Sequence, residues 1–454
     1  MQIGFTAYCY FKRVYRHGLR HRAHGNLLDR SQYHTAAQLR ADQDEALRRM
    51  VRHCTTHVPY YIDMFKRLGL RADDIQTQAD LQKLPLLDSK LVRENFDALI
   101  SPKHRNMFCH TGTSSGTTGL PSRFLRDFNA INFEHAVIWR QWRNAGDDGK
   151  RRISLRGDII VPSAQKEPPF WRFNRADNEL QMSSYHLSPG NAAHYIEKIL
   201  TFQPRILYCG PSMGHVLAKL FRLNNVDYRF DAVLTSSESL APPVRDFIEE
   251  AFHTKVYDWY GQAERVAAIG QCPHGTYHVQ EDYSIVEFLP AANGTAEIVG
   301  TQINNLVMPL LRYRTSDFVE LSSDPKPCAC GRHFRSVERI IGRYYGYLIT
   351  PEGYQIAITA HIPVGVDNMI EAQFHQERQG EVIVKVVTNG RFGAEDADKL
   401  IASVKRHTSP DMRVLLEEVP HIPRSASGKF INIVNRMTNN APITQDEPRR
   451  AAQA

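Results

Sequence analysis

The sequence predicts an α/β protein built from a large N-terminal domain of mixed sheets and helices and a small α+β C-terminal domain. Three observations carry that prediction. Short apolar runs alternate with helical periodicity through the middle of the chain, the pattern of a largely parallel sheet whose strands are joined by helices. Near Arg343 the pattern changes to strands with one intervening helix. The 454 residues, 42% apolar and 23% charged, suffice to bury a sizeable core in two or three domains.

Residues 1–42 read as a basic aromatic extension, in which Phe5, Tyr8, Tyr10, Phe11 and Tyr15 interleave with Lys12, Arg13, Arg16, Arg20, Arg22 and Arg30. Within it, residues 1–30 suit either an amphipathic segment on an anionic membrane surface or an extension packed on the body of the protein. Residues 43–342 form the large domain. Gln43–Leu68 has helical periodicity in Leu47, Met50, Val51 and Cys54 before Pro59, and Asp88–Leu99 reads as a second helix. Ala192–Phe202 and Pro243–Phe252 are predicted helices, and Ile206–Cys209 and Ala232–Thr235 buried strands. Residues 343–438 form the small domain, with strands at Met369–His375, Glu381–Val387 and Met412–Val419 and a helix at Ala394–His407. The polar residues 439–454 are expected to be disordered.

Lys plus Arg exceeds Asp plus Glu by 56 − 49 = 7. That excess suits an anionic ligand such as a nucleotide but is too weak for a nucleic-acid protein. No apolar run reaches the ~18 residues of a membrane span. Phe11–Arg13 and Arg16–Arg22 break any signal-peptide core, so the expected location is cytoplasmic, with peripheral contact at the inner membrane face as the variant. The seven cysteines are scattered, unlike a disulfide framework, and Cys9, Cys54, Cys109 and Cys209 read as buried small hydrophobes.

The run Thr111–Gly119 packs six hydroxyls and three glycines into nine residues. Glycines allow a backbone to turn its N–H groups onto a ligand, and hydroxyls can donate to phosphate oxygens without bulk. The Gly-Lys-Ser/Thr of a Walker A loop is missing. A flexible linker is the other reading, but a linker would not usually interrupt ordered-looking sequence on both sides.

Ser114–Pro121 resembles the phosphate-loop motif of the adenylate-forming superfamily, which includes acyl-CoA synthetases, nonribosomal adenylation domains and luciferases. Tyr260-Gly261-Gln262-Ala263-Glu264, Tyr313-Arg314-Thr315-Ser316-Asp317, Ile341-Gly342-Arg343 and Pro423–Lys429 resemble its later motifs, in the same order. Val58–Tyr61, Leu84–Leu87, Glu94–Phe96, Tyr185–Ser188 and Ser236–Leu240 are similar to the phenylacetate–CoA ligase family and its CapK-like branch, linked with surface polysaccharide biosynthesis. The resemblance spans most of residues 43–435.

It implies an enzyme that joins a carboxylic acid to the AMP portion of ATP, releases pyrophosphate and passes the acyl group on, by default to CoA. An amine or hydroxyl acceptor is the alternative, and a non-catalytic nucleotide-binding scaffold a further one. By this resemblance Thr113, Ser114, Ser115, Gly116, Thr117, Thr118 and Gly119 would hold phosphates, and Ser237, Glu238, Tyr260 and Gly261 would bind the adenine end. Asp317 would hold the ribose hydroxyls, Glu264 Mg²⁺, Arg343 the ribose or phosphates, and Lys429 the α-phosphate and substrate carboxylate. Aromatics within Phe128–Trp142, Val161–Phe173 and Ser236–Tyr260 hint at an apolar or aromatic acyl group.

Three positions depart from the family pattern: Leu120 stands for the usual lysine, Ser316 for the usual glycine, and Tyr345 for the acid of the hinge. The last puts domain rotation, and with it the use of CoA, in question, although Gly346 offers other hinge freedom.

Cys272, His278, Cys328 and Cys330, in an insert near 272–330, form the ligand set of a closed structural Zn²⁺ site, with His274 as competitor for the fourth place. Three buried free thiols are the other reading. Some members of the phenylacetate–CoA ligase family carry a matching Cys/His/Cys/Cys site.

Overall fold

The computed structural model describes residues 2–106, 108–114, 122–291, 294–323, 326–343, 347–356, 365–424 and 430–437. The expected phosphate-loop residues Ser115–Gly119, together with Leu120, Tyr345, Gly346, Lys429 and the tail 439–454, lie outside the described residues. The chain divides into two compact units, the larger from Met1–Gly116, Pro121–Tyr344 and Pro423–Phe430, the smaller chiefly from Tyr345–Ile422 and Ile431–Ala454.

The larger unit begins with helices α1 (Gln2–Arg16), α2 (Leu19–Ser31) and α3 (Ala36–His57). Helix α3 starts seven residues before the expected Gln43, because Thr35 and Gln38 close a capping box ahead of it. It buries Leu39, Leu47, Met50, Val51 and Cys54 on one face. Each such large side chain contributes about 1.5–3 kcal/mol on full burial. The helix stops at Val58, which adopts extended geometry ahead of Pro59, and a new helix runs from Pro59 to Leu68. The helix expected over Asp88–Leu99 is only Ser89–Glu94, because the Asn95 side chain turns back onto the Leu91 carbonyl at 2.9 Å.

Strands β1 (His110–Thr113) and β2 (Arg123–Arg126) form an antiparallel hairpin. A nine-stranded sheet then takes β3 (Arg152–Arg156), β4 (Trp171–Asn174), β5 (Glu179–Ser183), β6 (Ile206–Cys209), β7 (Ala232–Ser236), β8 (Val256–Gly261), β9 (Ala268–Gln271) and β10 (Tyr277–Val279). Strands β11 (Ser284–Pro290), β12 (Thr295–Gln302) and β13 (Tyr313–Glu320) follow, then β14 (Ser336–Val337), which completes the large sheet, and β15 (Arg339–Gly342). The order in the large sheet is β14-β10-β9-β8-β7-β6-β3-β5-β4, with β5, β3, β6, β7 and β8 mutually parallel. Every residue of β7 is buried, as a central parallel strand requires. Helices Ala192–Phe202, Pro211–Leu223 and Pro242–Phe252 supply the crossovers, two of them opened by proline in the first turn. Strands β11, β12, β13 and β15 make a separate antiparallel sheet.

A buried ion pair ties α2 to this scaffold. Arg140 is 2% exposed and reaches Asp282 at 2.5 and 2.9 Å, the Leu28 carbonyl at 2.9 Å and Gln280 at 2.7 Å. Asp282 also accepts from Ser31 at 2.6 Å, so every strong partner of the pair is a hydrogen bond rather than water. Cys9, Cys54 and Cys209 are buried as expected, whereas Cys109 is only half-buried. Its short loop exposes it, with the thiol facing the His104 carbonyl at 3.6 Å.

The smaller unit holds a four-stranded sheet of Met369–Arg378, Glu381–Thr388, Arg413–Glu418 and Ile433–Asn435, with helix Ala394–His407. Phe374, Val382, Val384, Leu400, Val404 and Met412 form its core.

Candidate active site

The parallel strands end on one edge, the side where open α/β sheets bind ligands. β7 ends in Ser236, and Ser237 follows with φ 76°, a left-handed turn that leaves its hydroxyl exposed. The Glu238 carboxylate accepts from the Ser212 amide at 3.0 Å, in the first turn of helix Pro211–Leu223. It therefore anchors the turn to that helix, where a negative charge is favoured. β8 delivers Tyr260 and Gly261 at its end, and Glu264 sits in the turn beyond.

The antiparallel sheet faces these groups through β13. Burial alternates along the strand, so Tyr313, Thr315 and Asp317 share its buried side. The Tyr260 hydroxyl donates to Asp317 Oδ2 at 2.7 Å, and the Tyr313 hydroxyl to Glu264 Oε1 at 3.0 Å. Arg343 links the two acids: its Nε donates to Asp317 Oδ1 at 2.9 Å and its Nη2 lies 3.9 Å from Glu264 Oε1. Burial raises the Glu264 carboxyl above its ordinary value, and Arg343 pulls it back down. Burial, then the adjoining carboxylates, drives both tyrosine phenols upward, which keeps them hydrogen-bond donors at neutral pH. Gly342 has φ 75°, and a Cβ there would stand 2.5 Å from the Ser239 hydroxyl, which donates to the Ile341 carbonyl at 2.8 Å. Glycine at this point thus lets β15 bring Arg343 against the β7 turn.

The Ser/Thr/Gly run begins on β1, and its described part ends at Ser114. Ser114 and Ser122 are clamped by the Ser114 amide on the Ser122 carbonyl and the Ser122 amide on Ser114 Oγ, both at 2.9 Å. Gly112 is needed because a Cβ would overlap the Arg126 guanidinium, which crosses over to donate to the Ala263 carbonyl beside Glu264. Thr113 and Ser114 are thus tied to the turn after β8. Of the C-terminal motif, Arg424 is described: Nη2 lies 3.9 Å from Met213 Sδ, next to Ser212.

Tyr313, Gln302 and Arg126 had no role assigned from sequence. Tyr313 was findable, since period-two spacing from Asp317 places it on the same face. Gln302, whose side chain donates to the Glu264 carbonyl at 2.6 Å, is brought in by sheet packing alone.

A second cluster forms at the other end of the large sheet. Cys272 follows β9, His278 lies on β10, and Cys328 and Cys330 lie in the loop before β14. Their ligand atoms all lie within 4.8 Å of one another. Both cysteine-bearing loops are tight turns, closed by Gly275 N on the Cys272 carbonyl at 2.9 Å and Gly331 N on the Cys328 carbonyl at 3.1 Å. His278 Nδ1 faces the Phe334 carbonyl at 3.2 Å, and Nε2 turns to Cys330 Sγ at 3.4 Å. Among the described residues, His274 is not part of this cluster.

A family model described as the CapK C-terminal domain matches residues 348–436. Protein CapK of Staphylococcus aureus is 28% identical over 387 residues, covering 83% of this chain and 85% of that protein. The phenylacetate–coenzyme A ligase of Thermus thermophilus is 24% identical over 442 residues, covering 88% and 96%. The chain is similar to CapK and to the phenylacetate–coenzyme A ligases. Among solved structures, a 2-hydroxyisobutyryl-CoA ligase in the postadenylation state, in complex with R3-HIB-AMP, matches with a TM-score of 0.67 at 17% identity, covering 90% of this chain and 91% of that one. At that identity the likeness establishes the fold, that of the adenylate-forming ligases.

Glu264 binds its proton more tightly in the folded chain than in the unfolded one. Its contribution to stability is therefore greatest below the ordinary carboxyl value and is lost as pH rises through the raised one. Arg343 limits that loss. The variant Arg343→Gln, measured by equilibrium denaturation, is expected to lose about 3–5 kcal/mol at pH 8 and clearly less at pH 5. An equal loss at both values would show that Arg343 does not neutralise the buried acids.

Proposed function

We propose that this chain activates a carboxylic acid as its acyl-adenylate, consuming ATP and releasing pyrophosphate, and then passes the acyl group to CoA. The observation that carries the reading is the Tyr260–Asp317–Arg343–Glu264–Tyr313 network at the carboxyl ends of the parallel strands, on the fold of the adenylate-forming ligases. The names of the relatives, a coenzyme A ligase among them, supply the acceptor.

In the reaction a carboxylate oxygen attacks the α-phosphorus of ATP, and the bond to the pyrophosphate oxygen breaks. Such chemistry depends on positioning and on charge stabilisation. Asp317 has its carboxylate oriented by Tyr260 and Arg343, ready to accept from the ribose hydroxyls. The exposed Ser237 and the half-buried Tyr260 offer a place for adenine. Thr113 and Ser114, held beside the turn of Glu264 by the β1–β2 hairpin, offer hydroxyls to the phosphates. Lys429 supplies the cation that bridges substrate carboxylate and α-phosphate. A hard carboxylate beside a triphosphate fits Mg²⁺, and the raised proton affinity of Glu264 marks a buried oxygen pair that a second cation would relieve. When bound, that ion neutralises phosphate charge; Glu264 would hold it.

An amine or hydroxyl acceptor is the second reading, favoured by Tyr345 in place of the hinge acid. The likeness to CapK favours a setting in surface polysaccharide or secondary-metabolite biosynthesis. We also assign Zn²⁺ to Cys272, His278, Cys328 and Cys330. The donor set suits it, and the contact of His278 Nδ1 with a carbonyl directs Nε2 inward, as an imidazole ligand requires.

Finally, α1 turns Tyr10, Phe11 and Val14 to solvent, 52%, 69% and 66% exposed, on a helix without an acidic residue. Exposed Arg20, Arg22 and Arg30 follow on α2. An apolar stripe flanked by cations suits the interface of an anionic bilayer, with the protein held peripherally. No helix among the described residues is long and apolar enough to cross a membrane.

Pyrophosphate exchange screened over carboxylic acids, with and without CoA, tests the central reading. At least one acid, aromatic or apolar, is expected to support exchange, and CoA to accelerate AMP release. Lys429→Ala should lower exchange about 10²–10³-fold. ATP binding with no acid-dependent exchange would leave a nucleotide-binding scaffold instead. Elemental analysis of protein purified without chelator should give one zinc per chain, and Cys328→Ser should release it and unfold the insert, since structural zinc contributes on the order of 10 kcal/mol. A metal-free, fully folded protein would refute that assignment. In sedimentation with vesicles rich in phosphatidylserine, binding should fall about tenfold for Phe11→Glu, given the area such a side chain buries. Unchanged binding, or none by the wild type, removes the membrane from the account.

A further inference from the structure

Away from the adenylation network, the larger unit has an open cleft of about 530 Å³ whose walls are basic. Helix α3 supplies Arg49, Arg52, His53 and His57, spaced so that successive turns bring them to one side. The loop after Ser101 supplies Lys103 and His104. That loop is fixed by the Ser101 amide on the Val307 carbonyl at 2.8 Å and the His104 amide on the Ser101 carbonyl at 3.1 Å. Asn129 and residues 303–306 complete the lining, which contains no Asp or Glu.

The three imidazoles meet at the centre, with ring centroids 4.7 Å apart for His53–His104, 5.5 Å for His53–His57 and 6.3 Å for His57–His104. His53 Nε2 lies 2.8 Å from the Leu306 carbonyl and so carries a proton, which leaves Nδ1 as its titrating nitrogen. Lys103 Nζ lies 3.2 Å from His57 Nε2. Arg49 pairs with Glu45 one turn back on α3, but among the described residues neither Arg52 nor Lys103 forms an ion pair. Burial, then the neighbouring imidazoles and Lys103, lowers His53. Burial and Lys103 lower His104, with Asp127 acting the other way.

The lining gathers Arg49, Arg52 and Lys103 around three protonatable rings and holds no carboxylate of its own, Glu45 and Asp127 lying outside it, so an anion bound there is favoured. The volume falls in the range of small-molecule pockets and exceeds what a single oxyanion fills. Guanidinium, ammonium and imidazole donors together match the oxygens of phosphate esters. We propose that this cleft binds a small molecule that carries two or more phosphate groups. None of its six basic residues belongs to the adenylation network, so the site stands or falls independently of the catalytic reading.

An anion among these rings favours their protonated forms. The protein therefore takes up protons as the ligand binds, and affinity rises as pH falls and His53 and His104 become protonated. Arg49, Arg52 and Lys103 keep their charge throughout, so binding weakens but does not vanish at high pH.

The test uses the full chain labelled with ¹⁵N-histidine, with His53→Gln, His57→Gln and His104→Gln assigning the imidazoles and saturating AMP occupying the nucleotide site. Inorganic pyrophosphate and adenosine 3′,5′-bisphosphate are the probes, with sulfate as a singly anionic-centred control. Saturable shifts of all three imidazoles are expected, with affinity about tenfold weaker at pH 8 than at pH 6. The double variant Arg52→Gln/Lys103→Gln, altered only at exposed side chains, should weaken binding at least about tenfold. Tighter binding of either probe than of sulfate supports the proposal, and their order tells linked from separated phosphates. Equal affinity for sulfate, an unchanged double variant, or unmoved imidazoles overturns it.

Discussion

Two acids that water barely reaches, Glu264 and Asp317, share one arginine, and much of the larger unit is arranged to make that possible. Burying two carboxylates side by side is unfavourable unless each is paired and hydrogen-bonded. Each acid here has one tyrosine hydroxyl and a claim on Arg343, so no charge is left to the low dielectric alone. The groups come from different sheets: Tyr260 and Glu264 from the end of β8 and the turn after it, Asp317 and Tyr313 from β13, Arg343 from the end of β15. Docking of the antiparallel sheet on the parallel one is therefore a condition of the site, and the site's electrostatics in turn favour that docking.

The same dependence explains the surrounding details. Gly112 and Arg126 carry the β1–β2 hairpin onto the turn that holds Glu264, and Gln302 fixes that turn from β12. Glu238 pins the β7 turn to a helix N-terminus. These contacts hold backbone rather than substrate. They convert a cluster of acids into an arrangement with fixed distances, which is what a reaction governed by positioning needs. The cysteine and histidine cluster joins the loop before β14 to the β9–β10 hairpin, so it braces the far edge of the same sheet.

Much of this was legible in the sequence. Apolar runs such as Ile206–Cys209 and Ala232–Thr235 identified buried strands, and the change of pattern near 343 lies beside the division between the two units. Glu264, Asp317 and Arg343 converge, as do Cys272, His278, Cys328 and Cys330, although neither set is local in sequence; the ordered motifs named the first set and the residue types of a zinc site the second. The antiparallel sheet of β11–β13 and β15 was not anticipated, since strand pairing is set by long-range partners that a single chain's pattern does not specify. Helix ends moved for local reasons visible only with side chains in place: Thr35 with Gln38 at one helix and Asn95 at another. The basic cleft escaped notice because α3 read as an amphipathic helix, whose polar face is ordinarily only solvated.

Ser316 shows how a departure from pattern is accommodated. Where the superfamily usually has glycine, this serine adopts φ 58°, a conformation that costs an ordinary L-residue about 1–2 kcal/mol. The position is a bulge: pairing with β12 runs from Arg314 opposite Val299 to Phe318 opposite Glu297, so three residues of β13 oppose one of β12. Thr315 secures the bulge through the Ile298 carbonyl at 2.8 Å and also accepts from the Asp317 amide at 3.0 Å. The Ser316 amide reaches Glu297 Oε1 at 3.3 Å, and Arg314 grips the same carboxylate. The backbone bonds that glycine would have had are therefore intact, and the serine adds only the strain. That strain sits one residue from Asp317, whose carboxylate meets Tyr260 and Arg343. Alternation along β13 survives the bulge and keeps Asp317 on the buried side with Tyr313 and Thr315, so the acid meets Tyr260 and Arg343 while the strained serine faces solvent.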